Sequence, residues 1–279
     1  MTFSALRNAR EQLIGYLILL IISIIGLGAF VYPFFLSVIQ PDDTNNVRAT
    51  DAPLIFGLVM PLLLLLIVAD LSSRRMNAKI VAALGILTAI NAVLRFPSGI
   101  GDSPTFFFLP ILLGYAYGAR FGFLHGALSL FVSALITVGI GPWLPFQMLA
   151  MGWLGMGGGL LRLLRLPPDS KRELGALTVY GYVAGMLFGA LMNMYFWPFQ
   201  TGNSGLSWQP GLTLEQTLQR YWTFYVLSQS LPWDALRGGS TAALILMLGR
   251  PVLRELRRFY ARFFWLAAPE ALSQGQQQA

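Results

Sequence analysis

The sequence predicts an all-α integral membrane protein: a core of six transmembrane helices preceded by two extra ones. Three observations carry that expectation. Hydrophobic residues make up 56 % of the 279 and charged residues only 11 %, against about 25 % charged in an average soluble domain; the mean hydropathy is +0.63. The apolar residues come in blocks, and residues 13–40 carry no charge at all, enough at about 1.5 Å per residue to cross a hydrocarbon core of roughly 30 Å. The basic residues cluster beside these blocks on alternate connections, as topology signals do.

Charge-free stretches and turn clusters divide the chain in order. Two amino-terminal spans run over residues 13–37 and 53–69. The amino end, MTFSALRNAREQ, precedes an overlong apolar run without an A-x-A-like site, so an uncleaved first helix is expected. Six further spans cover residues 79–94, 105–119, 121–138, 144–161, 174–197 and a last one ending at 249. The second and third of these meet at GARFG almost without a loop, and Gly118 and Gly122 ease the tight helical hairpin this demands. The organisation is thus 1–75 for the two extra helices, 76–259 for the six-helix core and 260–279 for a carboxy-terminal tail.

Eight spans put both termini on one side. Arg7, Arg10, Arg74, Arg75, Lys79, Arg120, Arg162, Arg165, Lys171, Arg172, Arg250, Arg254, Arg257, Arg258 and Arg262 fall on that side, and only Arg48, Arg95 and Arg220 on the other; Arg237 sits within the last span. By the positive-inside rule both termini and the tail are cytoplasmic, in the cell membrane. The opposite connections, 95–104, 138–146 and 197–211, are rich in Gly, Pro, Trp and polar residues. Such loops suit packing over a cavity and place a functional face outside, although Trp also marks the membrane interface.

Several chemistries are excluded. There is no cysteine, so no disulfide, thiolate metal site or catalytic thiol, and the single histidine, His125, cannot form a zinc cluster. His125 reads as packed within its helix. The net charge of +7 and pI near 10.0 reflect the basic flanks, not a nucleic-acid surface. No G-x-x-x-x-G-K-[ST] occurs, so the chain has no P-loop of its own. The glycines of GMGGGLL (155–161) lie inside an apolar span and suit close helix packing. No pair of acidic residues stands at membrane depth as a glycosidase or metal-dependent transferase needs, so no catalytic or metal-binding residues are expected.

The last span opens SLPWDALRGG, which puts Asp234 and Arg237 three apart on one helix face. Ionisable residues at that depth mark a binding site or pathway, or else pin a helix as a structural ion pair. Arg95 either snorkels to the interface or meets a ligand. A large, partly polar ligand needs aromatic surfaces and a few orienting polar groups. The outer helix ends supply Trp143, Phe146, Gln147, Trp153, Tyr195, Trp197 and Trp233, with Asn193, Asp234 and Arg237. Asn193 could equally make a helix-to-helix hydrogen bond. In the first core span, Ala78, Ala82, Gly85 and Ala89 form a smooth stripe on which a helix, internal or foreign, can approach closely.

GPWLPFQMLAMGWLGMGGGLL (141–161), with LPWDALRGGSTAALILMLGRPVLRELRRF (231–259), resembles the substrate-binding S component of an energy-coupling factor (ECF) vitamin transporter, and more narrowly the cobalamin-type S components. The resemblance covers residues 76–259. It implies a six-helix S-component fold that binds a vitamin-like solute, cobalamin or a related corrinoid, in an outward-facing pocket. It also implies a transmembrane coupling subunit docking on Ala78, Ala82, Gly85 and Ala89, and two ATPases that consume the ATP, so that this chain needs no cofactor of its own. Trp143, Gln147 and Trp153 lie in the matching run and rank first among the candidate binding residues. The first two spans are extra to that core, and Gly85 departs from an all-alanine series. Two other readings compete: an integral membrane enzyme acting on a lipid-like substrate between its helices, and a structural or assembly protein without a pocket.

Overall fold

The computed structural model describes residues 3–35, 52–72, 78–95, 104–199, 205–228 and 230–265. The described residues are helical, without strands, and run as α1 (Phe3–Val31), α2 (Ala52–Ser72), α3 (Ala78–Val93), α4 (Pro104–Tyr117), α5 (Ala119–Thr137), α6 (Leu144–Leu160), α7 (Lys171–Phe196), α8 (Leu214–Leu227) and α9 (Ser230–Trp265). Three apolar helical stretches, Leu13–Phe34, Ala119–Thr137 and Lys171–Phe199, are long enough by themselves to cross a membrane; Pro53–Ala69, Lys79–Val93 and Thr105–Tyr117 are apolar and shorter.

Local chemistry sets the boundaries. Gly118, at φ 107°, is the single residue between α4 and α5, a conformation that a side chain makes costly, so the GARFG hairpin forms as expected. Ser170 caps α7 by accepting the Glu173 backbone N–H at 3.0 Å. Thr213 and Gln216 close a reciprocal capping box on α8, at 3.2 and 3.0 Å. That helix is absent from the eight-span reading, which left residues 212–229 as connection. The last helix also differs from expectation: it does not stop at Gly249 but passes through Pro251 to Trp265. Its 36 residues measure about 54 Å, more than the hydrocarbon core, so its Arg-rich end stands clear of the spanning part and takes in the first residues assigned to the tail.

Two antiparallel pairs, α5 with α6 and α7 with α9, form the core, with α4 between them and α3 outside α5. Lipid supplies no hydrophobic drive for helices to associate, so close backbone approach must hold them. The glycines provide it. A Cβ added at Gly114 would lie 2.0 Å from the Gly155 carbonyl oxygen, one at Gly122 2.3 Å from the same atom, and one at Gly158 2.4 Å from the Ile111 carbonyl. The run 155–161 is therefore a packing surface for α4 and α5. On the other side, Gly185 and Gly238 let α7 and α9 touch, a Cβ at Gly185 falling 2.6 Å from Gly238 Cα.

The amino-terminal helices join this body. Trp153 of α6 donates to Ser23 Oγ of α1 at 3.0 Å, and Phe30 meets Phe146 edge to face with centroids 5.1 Å apart. Phe56 of α2 lies 5.9 Å from Phe131 of α5. Beyond α1, Phe34 packs on Trp197 and Trp208, each at 5.7 Å, in a second apolar cluster with Phe224 that caps this end of the bundle.

Candidate functional site

The cap sits over the ends of α7 and α9, and beside it these helices diverge from their glycine contact into a cleft of about 280 Å³. Asp234 is at its floor, 3 % exposed. The carboxylate occupies a notch that only glycine can leave open: a Cβ on Gly189 would fall 1.8 Å from Oδ1. One turn on, Arg237 pairs with Asp234 along the helix face, while the Tyr225 hydroxyl of α8 donates to Asp234 Oδ2 at 2.8 Å. Burial, and then the nearby carboxylate, raise the Tyr225 phenol above its ordinary range. It therefore stays protonated and remains a donor at neutral pH.

Arg237 is held by aromatic faces as well as by charge. Its guanidinium carbon lies 5.6 Å from the ring centroids of both Phe107 and Phe188, within cation–π reach. Its Nε is buried and has no hydrogen-bond partner among the described residues, so the pair keeps a donor unused. Asn193 completes the polar wall: its Nδ2 donates to the Gly189 carbonyl at 2.9 Å and its Oδ1 accepts from Ser230 Oγ at 2.9 Å. Trp233, 55 % exposed, stands at the rim with Phe196. A solute here would meet a neutralised ion pair, an amide, the hydroxyls of Ser228 and Ser230 and flat apolar surfaces.

A family model described as "ECF transporter, substrate-specific component" matches residues 79–249. The chain belongs to that family. No curated protein and no solved structure gives a match. As an S component it is a transport-binding subunit, not an enzyme. Membership implies association with a coupling subunit and ATPases, and together with the apolar helices it supports a membrane-embedded, multi-pass protein. The match begins one residue into α3, and α1 and α2 lie outside the matched residues.

The structure divides the candidate binding residues of this S component into two groups. Asn193, Trp233, Asp234 and Arg237 share the cleft. Trp143, Phe146, Gln147 and Trp153 are not among the residues that line it. Phe146 is fully buried between Phe30 and Tyr195, and Trp153 is engaged by Ser23; both thus lie against α1, which the sequence left without a role. Trp143 is 38 % exposed in the turn before α6, with Gln147 half-buried one turn later. Among the described residues the eight do not share the cleft: α6 turns Phe146 and Trp153 to α1 and its glycine side to α4 and α5. Arg95 donates to Ser133 Oγ at 3.1 Å, and His125 is fully buried near Ser129 Oγ, 3.5 Å from Nε2.

Sequence reasoning missed Tyr225 and the aromatic cap residues of α8, Tyr221 and Phe224. The Thr213-x-x-Gln216 capping box was the signal that could have found them. On α3, Ala82, Gly85 and Ala89 are exposed with Ile86 and Ile90, and a Cβ at Gly85 would meet nothing within 4 Å. Leu84, Thr88 and Asn91 turn inward. Internal packing, one of the two readings of this stripe, does not occur at those three positions among the described residues; Ala78 begins the helix, and its side chain lies outside them.

Proposed function

We propose that this S component takes up a vitamin-like solute from outside the cell, binding it in the cleft between α7 and α9, and passes it on with its coupling subunit and two ATPases. The observation that carries the reading is the buried Asp234–Arg237 pair opening into an aromatic-rimmed cleft, since ionisable residues within spanning helices mark binding sites and pathways. Cobalamin or a related corrinoid is the first solute to test, on the resemblance of residues 141–161. The cleft, at about 280 Å³, is smaller than a corrinoid, so such a ligand projects beyond it.

Titration calorimetry on the isolated protein without ATP tests this. Asp234→Asn is expected to weaken binding by about 1–3 kcal/mol, roughly 5- to 150-fold, because it unbalances Arg237 and the Tyr225 donor together. Trp143→Ala and Gln147→Ala, neither of which lines the cleft, test whether the α6 run also reaches the ligand: a loss of the same order in either extends the site to α6. No heat with any corrinoid removes the substrate assignment, whereas unchanged binding in all three variants removes the site.

The cleft end is taken to face outside, on the basis of the Lys/Arg bias. The chain has no cysteine, so single cysteines report cleanly. Placed at Asn45, Ser103 and Asn203 they are expected to react with an impermeant thiol reagent added to intact cells, and at Ser170 not to react. The reverse pattern overturns the orientation and the outward pocket.

A further inference from the structure

The bundle end opposite Asp234 holds a second polar centre that solute binding does not use. Glu173, 3 % exposed, accepts hydrogen bonds from the Tyr115 hydroxyl and the Asp169 backbone N–H, both at 2.8 Å, and pairs with Arg257. Asp169 pairs in turn with Arg254 at 3.2 Å. Both carboxylates are thus already satisfied by groups of this chain. Beside them opens a cavity of about 320 Å³ whose lining includes Arg162, Arg165 and Arg257 against the single carboxylate of Glu173. Neither Arg162 nor Arg165 makes an ion pair among the described residues. Arg257 Nη1 is buried without a hydrogen bond, and Asp169 Oδ1 is 3.9 Å from it, beyond hydrogen-bond reach. The cavity therefore has a surplus of guanidinium donors and of positive charge.

The backbone holds these donors in place. Arg165 ends the short 3-10 turn Leu161–Leu164 in the left-handed region, at φ 48°, followed by Pro167 and Pro168 and by Asp169 at φ 60°. That turn leaves Leu163 and Leu164, which lie between the two arginines in sequence, 77 % and 57 % exposed. Guanidinium forks and uncovered leucines thus stand together at the end of the spanning helices. We propose that this cavity binds the phosphate group of an acidic phospholipid, whose acyl chains run along Leu163 and Leu164. Guanidinium groups match phosphate oxygens in bidentate geometry, and basic pockets between helices at a membrane surface take anionic headgroups. The exposed leucines place acyl chains beside the cavity, which favours a lipid headgroup over a free anion.

The test uses the full chain in detergent, following thermal unfolding as dioleoylphosphatidylglycerol, dioleoylphosphatidylcholine or inorganic phosphate is titrated. Phosphatidylglycerol alone is expected to raise the midpoint. The double variant R162Q/R165Q is expected to need about tenfold or more of that lipid for the same rise, and K171Q/R172Q, an equal charge loss outside the cavity lining, about the wild-type amount. R162Q alone, which leaves the left-handed residue untouched, is expected to show a loss of about threefold or more. An equal loss in both double variants, full affinity in R162Q, or an equal rise with phosphatidylcholine overturns the site. An equal rise with inorganic phosphate overturns the lipid as its occupant.

Discussion

Ala82→Trp or Gly85→Trp is expected to reduce uptake to less than about a hundredth of the wild-type rate while the isolated protein binds its solute within about twofold of wild type. Both positions are exposed on α3, with Gly85 open beyond its own Cα, and neither lines the cleft between α7 and α9. An indole there projects from an exposed face of α3 and holds an approaching helix several ångströms away. Uptake of labelled solute into cells that also express the coupling subunit and ATPases, set beside calorimetry on the purified variant, separates the two effects. A loss of binding in step with uptake would mean that the stripe supports the fold of this chain instead of docking a partner.

Gly155→Ala is expected to cost about 3 kcal/mol or more, and Gly155→Leu to leave no folded protein. The added Cβ would lie 2.1 Å from the Gly122 carbonyl oxygen. That atom is helix backbone, so no rotamer change relieves the overlap and α5 and α6 must separate along their contact. Overpacking in ordinary cores costs about 1–3 kcal/mol; here the obstruction sits where α4, α5 and α6 meet. Thermal unfolding followed by size exclusion in detergent measures the effect. Gly175→Ala is the control, because its Cβ meets nothing within 4 Å and helix propensity favours it by up to about 1 kcal/mol. Equal melting of Gly155→Ala and wild type would mean that the glycines do not set the helix spacing.

Part of the candidate cleft was legible in particular residues. Asp234 and Arg237 announced themselves because ionisable groups are rare in apolar spans, and their spacing of three already placed them on one face. What paired with them was not legible. Tyr225 is nine residues before Asp234 and reaches it only because α8 folds back over the cleft, and the rings beside Arg237 come from α4 and α7. Aromatic content could not assign Phe146 and Trp153, which lie against α1, since an aromatic side chain suits a ligand wall and a helix interface equally well. The partner that decided it, α1, is more than a hundred residues away in the chain.

The sequence by itself determined that this is an all-helical membrane protein with most of its spans near their observed places, that its glycine run packs helices, and that its six-helix core resembles the family whose model matches it. The first two follow from transfer free energy and steric size, which act residue by residue and can be read along a chain; the resemblance rests on the runs 141–161 and 231–259. Only the tertiary structure decided which apolar faces meet lipid and which meet protein. The tertiary structure alone likewise set the union of the α1–α2 hairpin with α5 and α6, and the gathering of α7, α8 and α9 around one carboxylate. In a bilayer a leucine is satisfied equally by an acyl chain or a neighbouring helix, so hydrophobicity carries no information about which helix lies beside which. Close backbone approach and a few hydrogen bonds between distant residues make that choice, and both exist only once the chain has folded.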